Sequence, residues 1–165
     1  MKTYNGAIID PIDERDYQLE EVGMFPPVNW IEKKGIRQFE VKDQDQSLSC
    51  VANAVAKILA IENYLEEGRY FPLSARDLYT RRTNNGGGMN FREAMKLGHE
   101  KGITLEYLMP SNGKGEAEMN KADDRTTFTE MTGSILAGGN YISTPFNIDS
   151  IASIINQGKG VLLGF

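Results

Sequence analysis

The sequence predicts an α+β fold in which helices come first and short strands follow. Three observations carry this. The stretch after Cys50, VANAVAKILAIENYL, has no Gly or Pro and places Val51, Ala54, Val55, Ile58, Leu59 and Leu65 at helical spacing. Two more helical patterns come next, each behind a residue suited to capping, Ser74 and Asn90. The C-terminal part carries short apolar runs, 140–143 and 160–165, that read as strands.

In chain order, Met1 to Gly23 is polar and mixed in charge, and DPIDERDY reads as an extended surface segment. Phe25-Pro26-Pro27-Val28 is stiff, because each proline restricts the residue before it. Trp30, Ile31 and Ile36 are the first core anchors, and Phe39 and Val41 alternate with polar neighbours as in an extended run. A polar loop from Lys42 to Ser47 leads to Ser47 or Ser49 as N-cap, and so puts Cys50 in the first turn of a helix of about four turns. Val55, Ile58 and Leu59 are its predicted buried face, and Gly68 its C-cap. Ser74 caps ARDLYTRR with Leu78 and Tyr79 inward; Asn90 caps FREAMKLGHEK with Phe91, Ala94, Met95 and Gly98 inward; Gly102 ends that helix. Between them, Thr83-Asn84-Asn85-Gly86-Gly87-Gly88 is a flexible loop, either a connector or a place where backbone must come close to a ligand. No Gly-Lys-Ser/Thr follows, so it is not a phosphate loop. Ser111 to Asp124, rich in Gly, Lys, Glu and Asn, is predicted to be a mobile, exposed loop. Thr126, Thr127 and Phe128 favour strand while the whole 128–136 run is ambiguous. Asn147 or Asp149 caps a last short helix with Ile151, Ile154 and Ile155 inward.

The chain has 165 residues, 40% hydrophobic and 25% charged, enough for a real core. A net charge of -5 argues against a nucleic-acid surface, and no N-terminal apolar run reads as a signal peptide or membrane span. The single Cys fits a reducing compartment, and the single His, His99, speaks against a His-rich metal site. No cofactor or metal is expected. At the head of a helix, unpaired N–H groups and the positive end of the dipole favour thiolate over thiol. Gln44, six residues upstream, can fold back and donate to a developing oxyanion. On spacing alone the nucleophile reading is the weaker one: a lone Cys is most often a small buried hydrophobe, and Ala54 and Ile58 share the face of Cys50.

Several segments together resemble the papain-like cysteine peptidases, in particular their bacterial and phage-type branch, over nearly the whole chain. Arg15-Asp16-Tyr17 is similar to the arm upstream of the mature domain, and Pro27-Val28-Asn29-Trp30 with Gly35-Ile36 to the opening segment. Val41-Lys42-Asp43-Gln44 resembles the run into the oxyanion loop, and Ser49-Cys50-Val51-Ala52-Asn53-Ala54 the nucleophile helix. Gly87-Gly88 and the helix ending in Lys101-Gly102-Ile103 resemble the substrate-binding loop and its helix. Residues 151–164 resemble the helix and strand leading towards the catalytic His. Against the local signature C-G-[SA]-C-[WY], the segment Ser47-Leu48-Ser49-Cys50-Val51 agrees at two of five positions. Leu48 and Asp45 replace glycines.

The resemblance implies Cys50 as nucleophile, with Gln44 and the Cys50 N–H as oxyanion donors. Gly87 and Gly88 would bind substrate backbone as an added strand, with Met89 and Asn90 bordering a specificity pocket. It implies an arm over 1–25, a helical subdomain over 26–110, and a loop and the start of a β-rich subdomain over 111–165. The His and Asn are expected roughly 130–150 residues after the Cys, beyond Phe165, so the chain is expected to be an N-terminal portion. His99, late in its helix, is not expected to serve. The expected activity is cysteine endopeptidase, with the 165 residues alone inactive. The alternative is a papain-like domain without catalysis, serving as a structural or binding module, and a third is other thiol chemistry at Cys50. The expected partners are a polypeptide substrate and a C-terminal piece or second chain bearing His and Asn, with no nucleic acid or membrane. The expected location is cytoplasmic or phage-associated.

Overall fold

The computed structural model describes residues 6–11, 13–14, 39–144 and 146–164. The expectations for Arg15–Tyr17, Pro27–Trp30, Ile31, Gly35, Ile36 and Phe165 lie outside those residues. Among the described residues the elements run β1 (Ala7–Ile8), α1 (Cys50–Glu67), α2 (Ala75–Tyr79), β2 (Met89–Asn90), α3 (Phe91–Lys101), α4 (Glu116–Met119), α5 (Thr127–Ile135) and α6 (Ile148–Asn156). β1 and β2 pair in parallel, Ala7 with Met89 and Ile8 with Asn90. Leu73 and Leu105 form an isolated antiparallel bridge. Helices dominate and strands are short, within the α+β class.

The core is built on α1. Val51, Ala52, Val55, Ala56, Leu59 and Ala60 are buried on one face. The alanines keep that face thin, so that α2 and α3 approach closely. Leu78 and Tyr79 of α2, Ala94 of α3, and Leu73, Ile103 and Met119 complete the cluster. Each large apolar side chain taken out of water here contributes roughly 1.5–3 kcal/mol. Gly98 marks the tightest α3–α1 contact, since a Cβ there would lie 2.8 Å from Leu59 Cδ1. α1 ends as predicted, with Gly68 left-handed at φ 73° and its N–H on the Tyr64 carbonyl.

Several expectations change. Val41 is exposed, and Ile58 is only half-buried because α1 turns Ala52, Ala56 and Ala60 inward. The 126–136 run is helical: the Thr126 hydroxyl accepts from Thr129 N–H and the Thr129 hydroxyl from Thr126 N–H. That reciprocal cap outweighs the strand preference of the threonines. In α6, Asn147 is the cap, and Ala152, Ser153 and Ile154 form the buried face while Ile155 is exposed. Segment 111–124 is not a plain loop, since it contains α4 and buries Met119 and Ser111. Neither 140–143 nor 160–164 is a strand among the described residues, Ser143 alone being a bridge residue. The 160–164 segment lies over helices: a Cβ at Gly160 would meet Ile58 at 2.4 Å, and one at Gly164 the Phe91 ring at 2.7 Å.

Candidate active site

Cys50 is the first residue of α1, a free, half-buried thiol. Ser49 holds the N-cap position but makes no side-chain cap bond. Its hydroxyl instead meets the Ser47 hydroxyl at 2.6 Å and accepts from Asn53 Nδ2 at 2.9 Å. The head of the helix beside the thiol is therefore left uncapped by Ser49, with the helix dipole pointing at it.

The loop before Cys50 is closed on itself. Ser47 donates to the Gln44 carbonyl from its N–H at 3.1 Å and its hydroxyl at 2.6 Å. Gln44 Nε2 donates back to the Ser47 carbonyl at 2.9 Å. Asp45 sits at φ 52°, a left-handed position that Asp tolerates better than most residues.

Three carboxylates, Asp45 in the loop and Glu106 and Glu116 outside it, fasten this loop. Lys42 Nζ donates to the Leu73 carbonyl at 2.6 Å and pairs with Glu106 at 3.1 Å. Asp45 accepts from Gly113 N–H at 2.7 Å, and Glu116 accepts from Leu48 N–H at 2.7 Å. All three ties run between the loop and segment 106–116. Burial pushes the carboxyls of Glu106 and Glu116 up, yet their hydrogen bonds and cations outweigh it. The Ser111 hydroxyl and Lys42 act on Glu106, and Leu48 N–H and the Tyr79 hydroxyl on Glu116, so both stay below the usual carboxylate range.

The facing wall is the glycine loop. Gly87 and Gly88 have φ of 80° and 72°. Gly88 N–H donates to Tyr79 Oη at 2.9 Å, and Tyr79 Oη donates to Glu116 Oε1 at 2.8 Å. Burial, followed by the bond to Glu116, pushes the Tyr79 phenol up to about 12. Leu48 leans across to this wall, since a Cβ on Gly87 would lie 2.6 Å from its Cδ1.

Gly6 lies between the walls, against Leu48 on one side and Gly88 on the other. Met89 N–H donates to the Gly6 carbonyl at 2.7 Å. A Cβ on Gly88 would fall 2.5 Å from that carbonyl oxygen, and a Cβ on Gly6 1.9 Å from the Leu48 oxygen. Further along, Asp10 accepts from Arg92 N–H at 3.0 Å, and Arg92 donates to the Pro11 carbonyl at 3.1 Å. Asn90, the predicted cap of α3, makes no side-chain cap bond. Asp10 supplies the cap from a distant part of the chain.

The structure thus brings Leu48, two residues before Cys50, against Gly87, and Gly6 against both Leu48 and Gly88, with Gln44 in the loop that leads to Cys50. Met89 is fully buried in the core, so its side chain packs inward. A cavity of about 500 Å³ opens beside α3, lined by Phe91, Met95, Ile142, Ile154 and Leu162, with Asp10 at its edge. Neither Met89 nor Asn90 lines it. His99 is remote: its neighbour Gly98 packs at Leu59, nine residues along α1 from Cys50, or about 13 Å of helix. Its Nδ1 is buried without a hydrogen-bond partner among the described residues. No cluster of metal-binding side chains and no helix long and apolar enough to cross a membrane occurs among the described residues. Sequence reading missed Asp10, Tyr79 Oη, Glu106 and Glu116. No local signal marks them, since each acts across a long separation in sequence.

No protein-family model matches the sequence, and no curated protein does. Among solved structures, the chain is similar to xylellain, a cysteine protease from Xylella fastidiosa. The identity is 21%, the TM-score 0.70, and the match covers 95% of this chain and 64% of that one. It is also similar to the cysteine protease and lectin-like domains of Cwp84, a surface layer associated protein of Clostridium difficile. There the identity is 17%, the TM-score 0.58, and the match covers 93% of this chain and 34% of that one. The chain therefore spans just under two thirds of xylellain's length and about a third of the Cwp84 structure. At these identities the likeness establishes the fold: the chain has the papain-like cysteine peptidase fold over nearly its whole length.

Proposed function

We propose that the chain is part of a papain-like cysteine peptidase of the bacterial and phage-type branch. The observation that carries this is the position of Cys50. The only thiol stands at the uncapped head of the central helix, two residues after Leu48, whose side chain reaches the glycine loop. In this reading the thiolate attacks a peptide carbonyl, and the Cys50 N–H and Gln44 Nε2 donate to the oxyanion. Gln44 Nε2 spends one hydrogen on Ser47, and its second is the one assigned to the oxyanion. Gly87 and Gly88 hold substrate backbone. The base that takes the thiol proton and protonates the leaving amine is a His outside these residues, on a following segment or a second chain. His99, packed far along α1, does not serve. These 165 residues alone are thus expected not to turn over peptide.

A second reading, a domain that binds peptide without cleaving it, is favoured by Leu48, whose side chain spans to Gly87. Gln44→Ala separates the two. In protein that carries the base, it lowers turnover about 10²–10³-fold if Gln44 is an oxyanion donor. Peptide binding without any Cys50-dependent cleavage would leave the binding module as the function.

A further inference from the structure

We infer that Glu116 and Tyr79 act as one positioning unit that clasps the nucleophile loop to the glycine wall and so sets the width of the cleft. The clasp is a single relay. Gly88 N–H donates to Tyr79 Oη at 2.9 Å, Tyr79 Oη donates to Glu116 Oε1 at 2.8 Å, and Leu48 N–H donates to Glu116 Oε2 at 2.7 Å. Both ends are backbone, one two residues before Cys50 and the other in the edge that carries the arm. The phenol belongs to α2 and the carboxylate to α4, so neither wall supplies its own anchor.

The donors and acceptors leave one consistent arrangement. Tyr79 Oη accepts from Gly88 and must give its proton onward. Glu116 accepts on both oxygens, so it is ionised. Asn120 Nδ2 donates to Glu116 Oε1 at 3.0 Å, and Arg82 lies 3.9 Å from that oxygen. The Arg82 guanidinium also sits over the Tyr79 ring, 3.8 Å from its centroid. An amide at position 116 has one acceptor oxygen. It therefore leaves either Leu48 N–H or the Tyr79 O–H without an acceptor. The catalytic meaning of the clasp rests on the peptidase reading, whereas its existence does not.

The test uses the whole chain as Glu116→Gln and Tyr79→Phe, with two readouts. Amide hydrogen exchange at Leu48 and Gly88 should accelerate about tenfold or more at both sites in each variant, relative to buried α1 amides such as Ala56. A merely local role predicts that Tyr79→Phe frees Gly88 and leaves Leu48 at wild-type protection, and that result would overturn the clasp. Glu116 lies partly at the surface, so Glu116→Gln decides the matter should Tyr79→Phe not fold; unchanged exchange at Gly88 in that variant overturns the clasp equally. The second readout is alkylation of Cys50 by a peptidyl chloromethyl ketone, whose saturation kinetics separate binding from bond formation. A positioning role predicts a binding constant about tenfold weaker, with the limiting rate changed less than about threefold. If protein that also carries the base shows no saturable labelling at Cys50, the peptidase reading fails, and the exchange data still decide the clasp.

Discussion

Gly88 is the residue whose replacement is most diagnostic. Its φ of 72° is one that an L side chain adopts at about 1–2 kcal/mol, and its Cβ would fall 2.5 Å from the Gly6 oxygen. Gly88→Ala is therefore expected to lower stability by at least that amount and to dislodge the arm. Chemical denaturation reads the first effect and faster amide exchange at Ala7 and Ile8 the second; unchanged protection there would contradict the close approach. Asp77 is the structural counterpart. It is fully buried, pairs with Arg81 at 2.8 Å and Arg125 at 3.4 Å, and accepts from Thr104 N–H at 3.0 Å. Asp77→Ala leaves two guanidinium groups without their carboxylate and should cost about 3–5 kcal/mol. Ionisation follows the same geometry. Glu106 and Glu116 are depressed, so the stability they contribute is complete above the unfolded carboxylate value of about 4.3 and is lost as pH falls through their lower folded values. Tyr79 is raised, so its contribution is complete below the unfolded value of about 10 and is lost as pH rises through about 12. Glu116→Gln should flatten the acid limb of the stability–pH curve, and Tyr79→Phe should remove a late step from the tyrosine titration.

At the scale of elements, the caps separate what is local from what is not. Ser74 and Asn147 cap α2 and α6 with their own side chains, accepting from Asp77 N–H at 3.0 Å and Ser150 N–H at 2.8 Å. Asn147→Ala should cost about 1 kcal/mol. Asn90→Ala should cost much less, because the α3 cap bond comes from Asp10. Asp10→Ala should show the larger loss by thermal denaturation, and equal effects of the two substitutions would rule the distant cap out. The amphipathic pattern of α1 was readable because its spacing is set by the backbone, and its end was readable because Gly68 fits a left-handed cap. The 128–136 run is ambiguous in sequence, and a reciprocal threonine cap decides it as a helix. The run over 160–164 was read as a strand from composition, but a strand also needs a partner edge, and this segment lies on Ile58 and Phe91 instead.

For the whole molecule, the arm and the cleft are one system. Gly6 to Ile8 occupy the edge that the peptidase reading assigns to substrate. Removing residues 1–10 should therefore raise the rate at which a peptidyl reagent labels Cys50, while labelling by small iodoacetamide changes little. Equal acceleration of both reagents would mean that the arm merely covers the thiol. The sequence by itself determined the helix that begins at Cys50, the core face with Val55 and Leu59, and the capped start at Ser74. Each is a matter of spacing or of conformations open to one residue type, and so is legible within a short window. Only the tertiary structure decided that segment 106–116 grips the nucleophile loop, that Tyr79 joins the two walls, and that Asp10 caps α3. Those bonds join residues far apart in the chain. Their energy depends on burial and on donors converging at one carboxylate, which no local pattern of residues encodes.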